Sequence, residues 1–99
     1  MIQLTAEERK TVETIIRKAF PGAKVFVFGS RATGINLKPF SDLDLAVDAQ
    51  EALTLEQLSL AKEAFTESDL PFRVDLVELK TISPEFRDAI SPQLEELSV

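Results

Sequence analysis

Asp42-Leu43-Asp44 places two carboxylates two residues apart, and a third aspartate, Asp75, sits between Val74 and Leu76. Leu43, Leu45 and Val47 alternate with Asp44, Ala46 and Asp48, which is the pattern of a strand. Residues i and i+2 of a strand share a face, so Asp42 and Asp44 project side by side. Aspartate is depleted in strands, and neighbouring carboxylates repel unless a cation lies between them. Hard oxygen donors suit Mg²⁺ or Mn²⁺. A solvent-facing strand edge accounts equally well for the Asp-Leu-Asp string taken alone. The apolar neighbours of Asp75 predict a buried strand, where an unpartnered aspartate is costly. Taken alone, Asp75 reads as hydrogen-bonded to a nearby loop or paired with Arg73. If its strand lies beside the first, three carboxylates converge on one face. That suffices for a site holding two ions roughly 3.5–4 Å apart.

A second chemical feature precedes the aspartates. Gly29-Ser30 follows the β-branched and aromatic run Lys24-Val25-Phe26-Val27-Phe28 and opens a short polar stretch ending at Gly34. A strand that turns into a helix presents free N–H groups to phosphate. Glycine allows close backbone approach, the Ser30 hydroxyl donates to an oxygen, and Arg31 adds a guanidinium. A plain strand-to-helix turn explains a lone Gly-Ser as well. Gly29 and Gly34 have P-loop spacing, but Ile35-Asn36 occupies the Lys-Ser/Thr positions, so that motif fails. No G-x-G-x-x-G is present either.

The missing residue types narrow the chemistry further. The 99 residues include no His, Cys, Trp or Tyr. Disulfides, thiolate nucleophiles, Ser-His-Asp triads and histidine bases are excluded. With 11 basic against 17 acidic residues the formal charge is −6, so duplex nucleic acid is not an expected partner. The polar N-terminus is not a signal peptide, and no apolar run approaches the roughly 20 residues of a membrane helix. Zero cysteine suits a reducing compartment, and a cytoplasmic protein is expected. The length allows one domain, 1–99.

The elements that must hold these groups are legible. Thr5-Ala6-Glu7-Glu8 is a capping box, followed by Val12, Ile15, Ile16, Ala19 and Phe20 at helical spacing until Pro21-Gly22. The strand at 24–28 is apolar without alternation, as in a sheet covered on both faces. Asn36 to Phe40 reads as loop. Thr54-Leu55-Glu56-Gln57 opens a second capped helix that Asp69-Leu70-Pro71 ends. Arg73 to Leu79 is a third strand. Ser83-Pro84 starts a last helix, with Phe86 and Ile90 expected to face inward. The tail to Val99 is expected either to add a helical turn or to lack order. The class is α/β, with a crossover helix between the second and third strands.

Taken together, Phe28-Gly29-Ser30, eleven residues, Asp42-Leu43-Asp44 and a later strand aspartate, Asp75, resemble the signature of the DNA polymerase beta-like nucleotidyltransferase superfamily. The strings Gly-Ser-Arg-Ala-Thr-Gly and Ser-Asp-Leu-Asp-Leu-Ala-Val look most like the minimal nucleotidyltransferases of prokaryotes. The resemblance covers about residues 5–90. It implies a small mixed sheet of three to four strands flanked by about four helices. It implies AMP transfer from ATP with two Mg²⁺ ions, or Mn²⁺. Asp42 and Asp44 would bridge the ions, and Asp75 would hold the catalytic one and help deprotonate the attacking hydroxyl. Gly29 and Ser30 would seat the triphosphate, with Arg31, Lys38 and Ser41 neutralising it.

Larger relatives carry an acceptor-binding domain for which this length has no room. The resemblance implies a separate partner, a helical HEPN-domain toxin encoded next door, with AMP moved onto one of its tyrosines. Tyrosine self-modification is excluded. Two further readings are an occlusion module that neutralises the partner without catalysis, and modification of a small molecule.

Overall fold

A computed structural model describes residues 2–97. Helix α1 (Ala6–Ala19) starts at the expected capping box, in which Glu8 N–H donates to Thr5 Oγ1 at 3.1 Å and Thr5 N–H to Glu8 Oε1 at 2.9 Å. Its turn at Gly22, with φ of 80°, leads into β1 (Lys24–Phe28). The one-turn α2 (Ser30–Thr33) and a loop precede β2 (Leu43–Asp48). The second capping box, Thr54 with Gln57, opens α3 (Leu55–Glu67), which crosses over to β3 (Val74–Glu78). Ser83 caps α4 (Pro84–Ile90), a 3₁₀ turn covers Ser91–Gln93, and β4 spans Glu95–Leu97.

The sheet order is β3-β2-β1-β4. β2 and β3 run parallel, joined by the crossover that such a pair requires, while β1 is antiparallel to both β2 and β4. The tail therefore differs from both expectations: 95–97 adds a strand to the open edge of β1. That placement buries Leu97, the cross-strand partner of Val25. Residues 98 and 99 lie outside the described residues.

The two faces of the sheet are covered unequally. Val25, Val27, Leu43, Leu45 and Val47 point to one face, where Val12, Ile16 and Phe20 from the α1 region and Ala61 and Phe65 from α3 seal them. Each of those five strand residues is 0% exposed. The other face carries a smaller cluster, Phe28, Ala46, Leu79 and Ile90, flanked by Phe26, Val77, Ile82 and Leu94. Its cover is α4 with the 3₁₀ turn. Among the described residues no helix is long and apolar enough to cross a membrane.

Candidate active site

The strand registers decide where the acidic groups meet. Phe28 is opposite Asp44 on β1 and β2, and Asp44 is opposite Asp75 on β2 and β3. Residues paired in this way project to the same side of a sheet. Asp44 and Asp75 thus stand beside each other on the thinly covered face, with Phe28 on the other side of Asp44. Asp42 precedes β2 and is exposed. The entry to β2 is fixed from β3, because Leu43 N–H donates to Arg73 carbonyl at 2.8 Å.

Asp75 lies on an edge strand and is exposed. The buried strand expected around it is corrected: an edge strand has a neighbour on one side only, so its polar residues reach water.

Asp44 is the electrostatic centre of the group. Its carboxyl is raised above the ordinary range, first by burial and then by the negative charges of Asp75 and Asp42. A site that raises a carboxylate through like charges favours a cation. Among the described residues no three acidic side chains are gathered closely enough to cage an ion by themselves. The donor set nevertheless fits Mg²⁺, which is usually held by one or two carboxylates together with water and substrate phosphates.

Gly29 lies against the Asp44 side chain. Its φ is 73°, and a Cβ there would overlap Asp44 Oδ2. The positive φ strains any residue but glycine there, and a Cβ would have to displace the Asp44 carboxylate. The turn then opens α2, where Ala32 N–H and Thr33 N–H both donate to Gly29 carbonyl at 3.0 Å. Ser30 is half-buried at the start of this turn. Gly29 N–H donates to Gln93 Oε1 at 2.9 Å, across 64 residues of sequence. Sequence reasoning missed Gln93, and no local signal marks it.

Arg31 departs from its expected role. Its guanidinium is turned into the protein, and the residue is 5% exposed. Nε donates to Ser41 carbonyl at 2.9 Å, Nη1 to Gln3 carbonyl at 2.8 Å and Nη2 to Pro39 carbonyl at 3.2 Å. The group also stacks 4.0 Å over the Phe72 ring. Three carbonyls and a ring satisfy a buried cation, and the fixed fork of a guanidinium suits this arrangement. Arg31 ties the N-terminal arm and the loop before Asp42 to α2. It does not face the turn as a free cation.

Ser41 is likewise used in the loop: its Oγ accepts Lys38 N–H at 2.8 Å, while Ser41 N–H donates to Lys38 carbonyl at 3.1 Å. This closed turn delivers Asp42 to the start of β2. The Lys38 side chain is exposed.

Known proteins resemble this chain in sequence and in fold. The chain is 44% identical over 89 residues to the probable protein adenylyltransferase MntA of Haemophilus influenzae, covering 90% of this chain and 77% of that one. The fold matches a chain of a toxin–antitoxin crystal structure with AMP-PNP at a TM-score of 0.74 and 25% identity, over 91% of this chain and 72% of that one. It also matches a chain of the Y104A mutant toxin–antitoxin MntA-HpeT at a TM-score of 0.74 and 26% identity, over 97% of this chain and 73% of that one. The nucleotidyltransferase domain family matches residues 9–95, spanning the Gly29-Ser30 turn and all three aspartates, and this chain belongs to that family.

Proposed function

We propose that the chain is an antitoxin that transfers AMP from ATP to a hydroxyl of a HEPN-domain toxin, a tyrosine being the acceptor. The observation that carries the reading is the pairing of Asp44 with Asp75 on one sheet face, with the Gly29 turn pressed against Asp44. Similarity to MntA and to toxin–antitoxin complexes supports both the reaction and the partner.

Nucleotidyltransferases of this family generally use divalent metal ions, and Mg²⁺ is the ion proposed here. Asp42, Asp44 and Asp75 would hold it. When bound it supplies charge neutralisation at the phosphates and at the attacking oxygen. The chain's own groups do the rest. Gly29 and Ser30 seat the triphosphate at the mouth of α2. The acceptor hydroxyl attacks the α-phosphorus, the bond to the β-phosphate bridging oxygen breaks, and pyrophosphate leaves. Asp75, exposed on the edge strand, takes the hydroxyl proton. Positioning and charge stabilisation dominate such reactions, so a protein without His or Cys is adequate. Lys38, exposed in the loop that leads to Asp42, is proposed to meet the triphosphate. The Ser41 side chain serves through its loop.

The test is co-expression with the product of the adjacent gene, then incubation with Mg²⁺ and labelled ATP. Transfer of AMP onto a partner tyrosine supports the reading. A stable complex with no mass gain would establish occlusion instead.

A further inference from the structure

We propose that Phe86 of α4 is the stacking surface for the base of the nucleoside triphosphate. The proposal rests on the nucleotidyl-transfer reading and extends it, since nothing in that reading says where the base lies. Three observations carry it.

The first is location. Phe28 is the cross-strand partner of Asp44 and directly precedes Gly29-Ser30. The Phe86 ring meets Phe28 edge-on, with centroids 6.0 Å apart and planes at 80°. Paired strand residues stand about 5 Å apart, so Phe86 lies two short steps from Asp44, a span that a ribose and base bridge.

The second is exposure. Ile90, one helical turn on, is 4% exposed, whereas Phe86 is 39% exposed. The inward orientation expected from spacing holds for Ile90 alone. Phe86 covers Phe28 and keeps the rest of its ring in water.

The third is attachment. Gln93 ends the 3₁₀ turn that follows α4 and accepts the Gly29 N–H, so the segment after Phe86 is pinned to the turn that would seat the phosphates. Phe40 is the more exposed aromatic, at 70%, and Arg31 ties its loop to α2, but among the described residues the ring that meets Phe28 is Phe86 and not Phe40.

Base–aromatic stacking needs only a π-face and tolerates any base. Phe86 is therefore expected to add affinity for ATP and GTP alike, and none for inorganic tripolyphosphate.

Calorimetric titration in Mg²⁺ with ATP, GTP and tripolyphosphate tests this, using wild type, Phe86→Leu, Phe86→Trp and Phe40→Ala. Leucine retains the packing on Phe28 but has no flat face, and thermal melts confirm that each variant folds. Phe86→Leu is expected to weaken ATP and GTP roughly 5- to 10-fold and to leave tripolyphosphate within about twofold, with Phe86→Trp restoring affinity. Unchanged ATP affinity in Phe86→Leu, while wild type binds ATP, overturns the stacking role and leaves the transfer reading standing. Equal loss of ATP and tripolyphosphate also overturns it, because Phe86 would then act through the turn. Loss in Phe40→Ala but not in Phe86→Leu moves the base to the loop and overturns it. A wild-type chain that binds none of the three ligands removes the transfer reading together with the proposal.

Discussion

Leu43, Leu45 and Val47 leave β2 toward α1 and α3 and are fully enclosed, whereas Asp44 and Asp48 leave the same strand toward α4 and keep contact with solvent. The helical cover on the first side is two long helices, and on the second it is seven residues and a 3₁₀ turn. The difference teaches how so small a protein separates two demands. Period-two alternation gives one face to cohesion and the other to charge. A register slip by one residue would exchange them, which would put carboxylates in the core. The apolar face must therefore be deep enough to hold three like charges near one another on its reverse.

The largest expected effect is on the charged face. Asp44→Asn should lower transfer by about 10³-fold, the order of magnitude expected when metal-assisted charge stabilisation is lost. The metal-free protein should melt at the same or a higher temperature, because a mutually repelling charge has gone. Label transfer and melting curves check both. Full activity in this variant would break the contrast between the faces.

On the enclosed face, Leu45→Ala should cost about 2–5 kcal/mol by leaving a cavity. Urea denaturation reads this loss, and transfer per folded molecule should stay near that of wild type. A Leu45→Ala protein as stable as wild type would mean that the sealed face does not carry the fold.

Arg31 sharpens the comparison, because its charge is buried yet serves the loop leading to the exposed aspartates. Arg31→Lys should destabilise by about 2–3 kcal/mol, since one ammonium cannot reach three carbonyls and leaves buried acceptors unpaired. If Arg31 instead faced the triphosphate, lysine would preserve stability and raise only the KM for ATP. Denaturation and steady-state kinetics on the same variant separate the two.

The smallest effect is in pH dependence. The Asp44 carboxyl lies above its unfolded value in the folded protein. Between those two values the folded state binds more protons than the unfolded state, so stability falls as pH rises through the folded value. Acidifying metal-free protein from neutrality toward that value should thus raise wild-type stability relative to Asp44→Asn. The difference between their melting temperatures across the series isolates this contribution. Saturating Mg²⁺ should flatten it, and a difference of the opposite sign would refute the raised carboxyl.

Much of this was readable before any coordinates. The two capping boxes rest on side chains three residues from their partners, the turn at Gly22 on one permissive residue, and the parallel β2–β3 pair on the helix between them. The Gly-Ser string and the Asp-x-Asp pair are equally local, so family resemblance and candidate chemistry were both visible in the chain. Tertiary structure decided what depends on neighbours distant in sequence. It left β3 at the sheet edge, which exposes Asp75, and it added 95–97 to β1, which no local pattern announced. It turned Arg31 inward, because carbonyls of Gln3, Pro39 and Ser41 and the ring of Phe72 happen to surround it. It set Gln93 on Gly29, and it left the Phe86 ring half in water. Spacing along a chain fixes which way a side chain leaves its own element. Whether it then meets solvent, a carbonyl or another ring is set by what the rest of the fold brings opposite, and that is a property of packing.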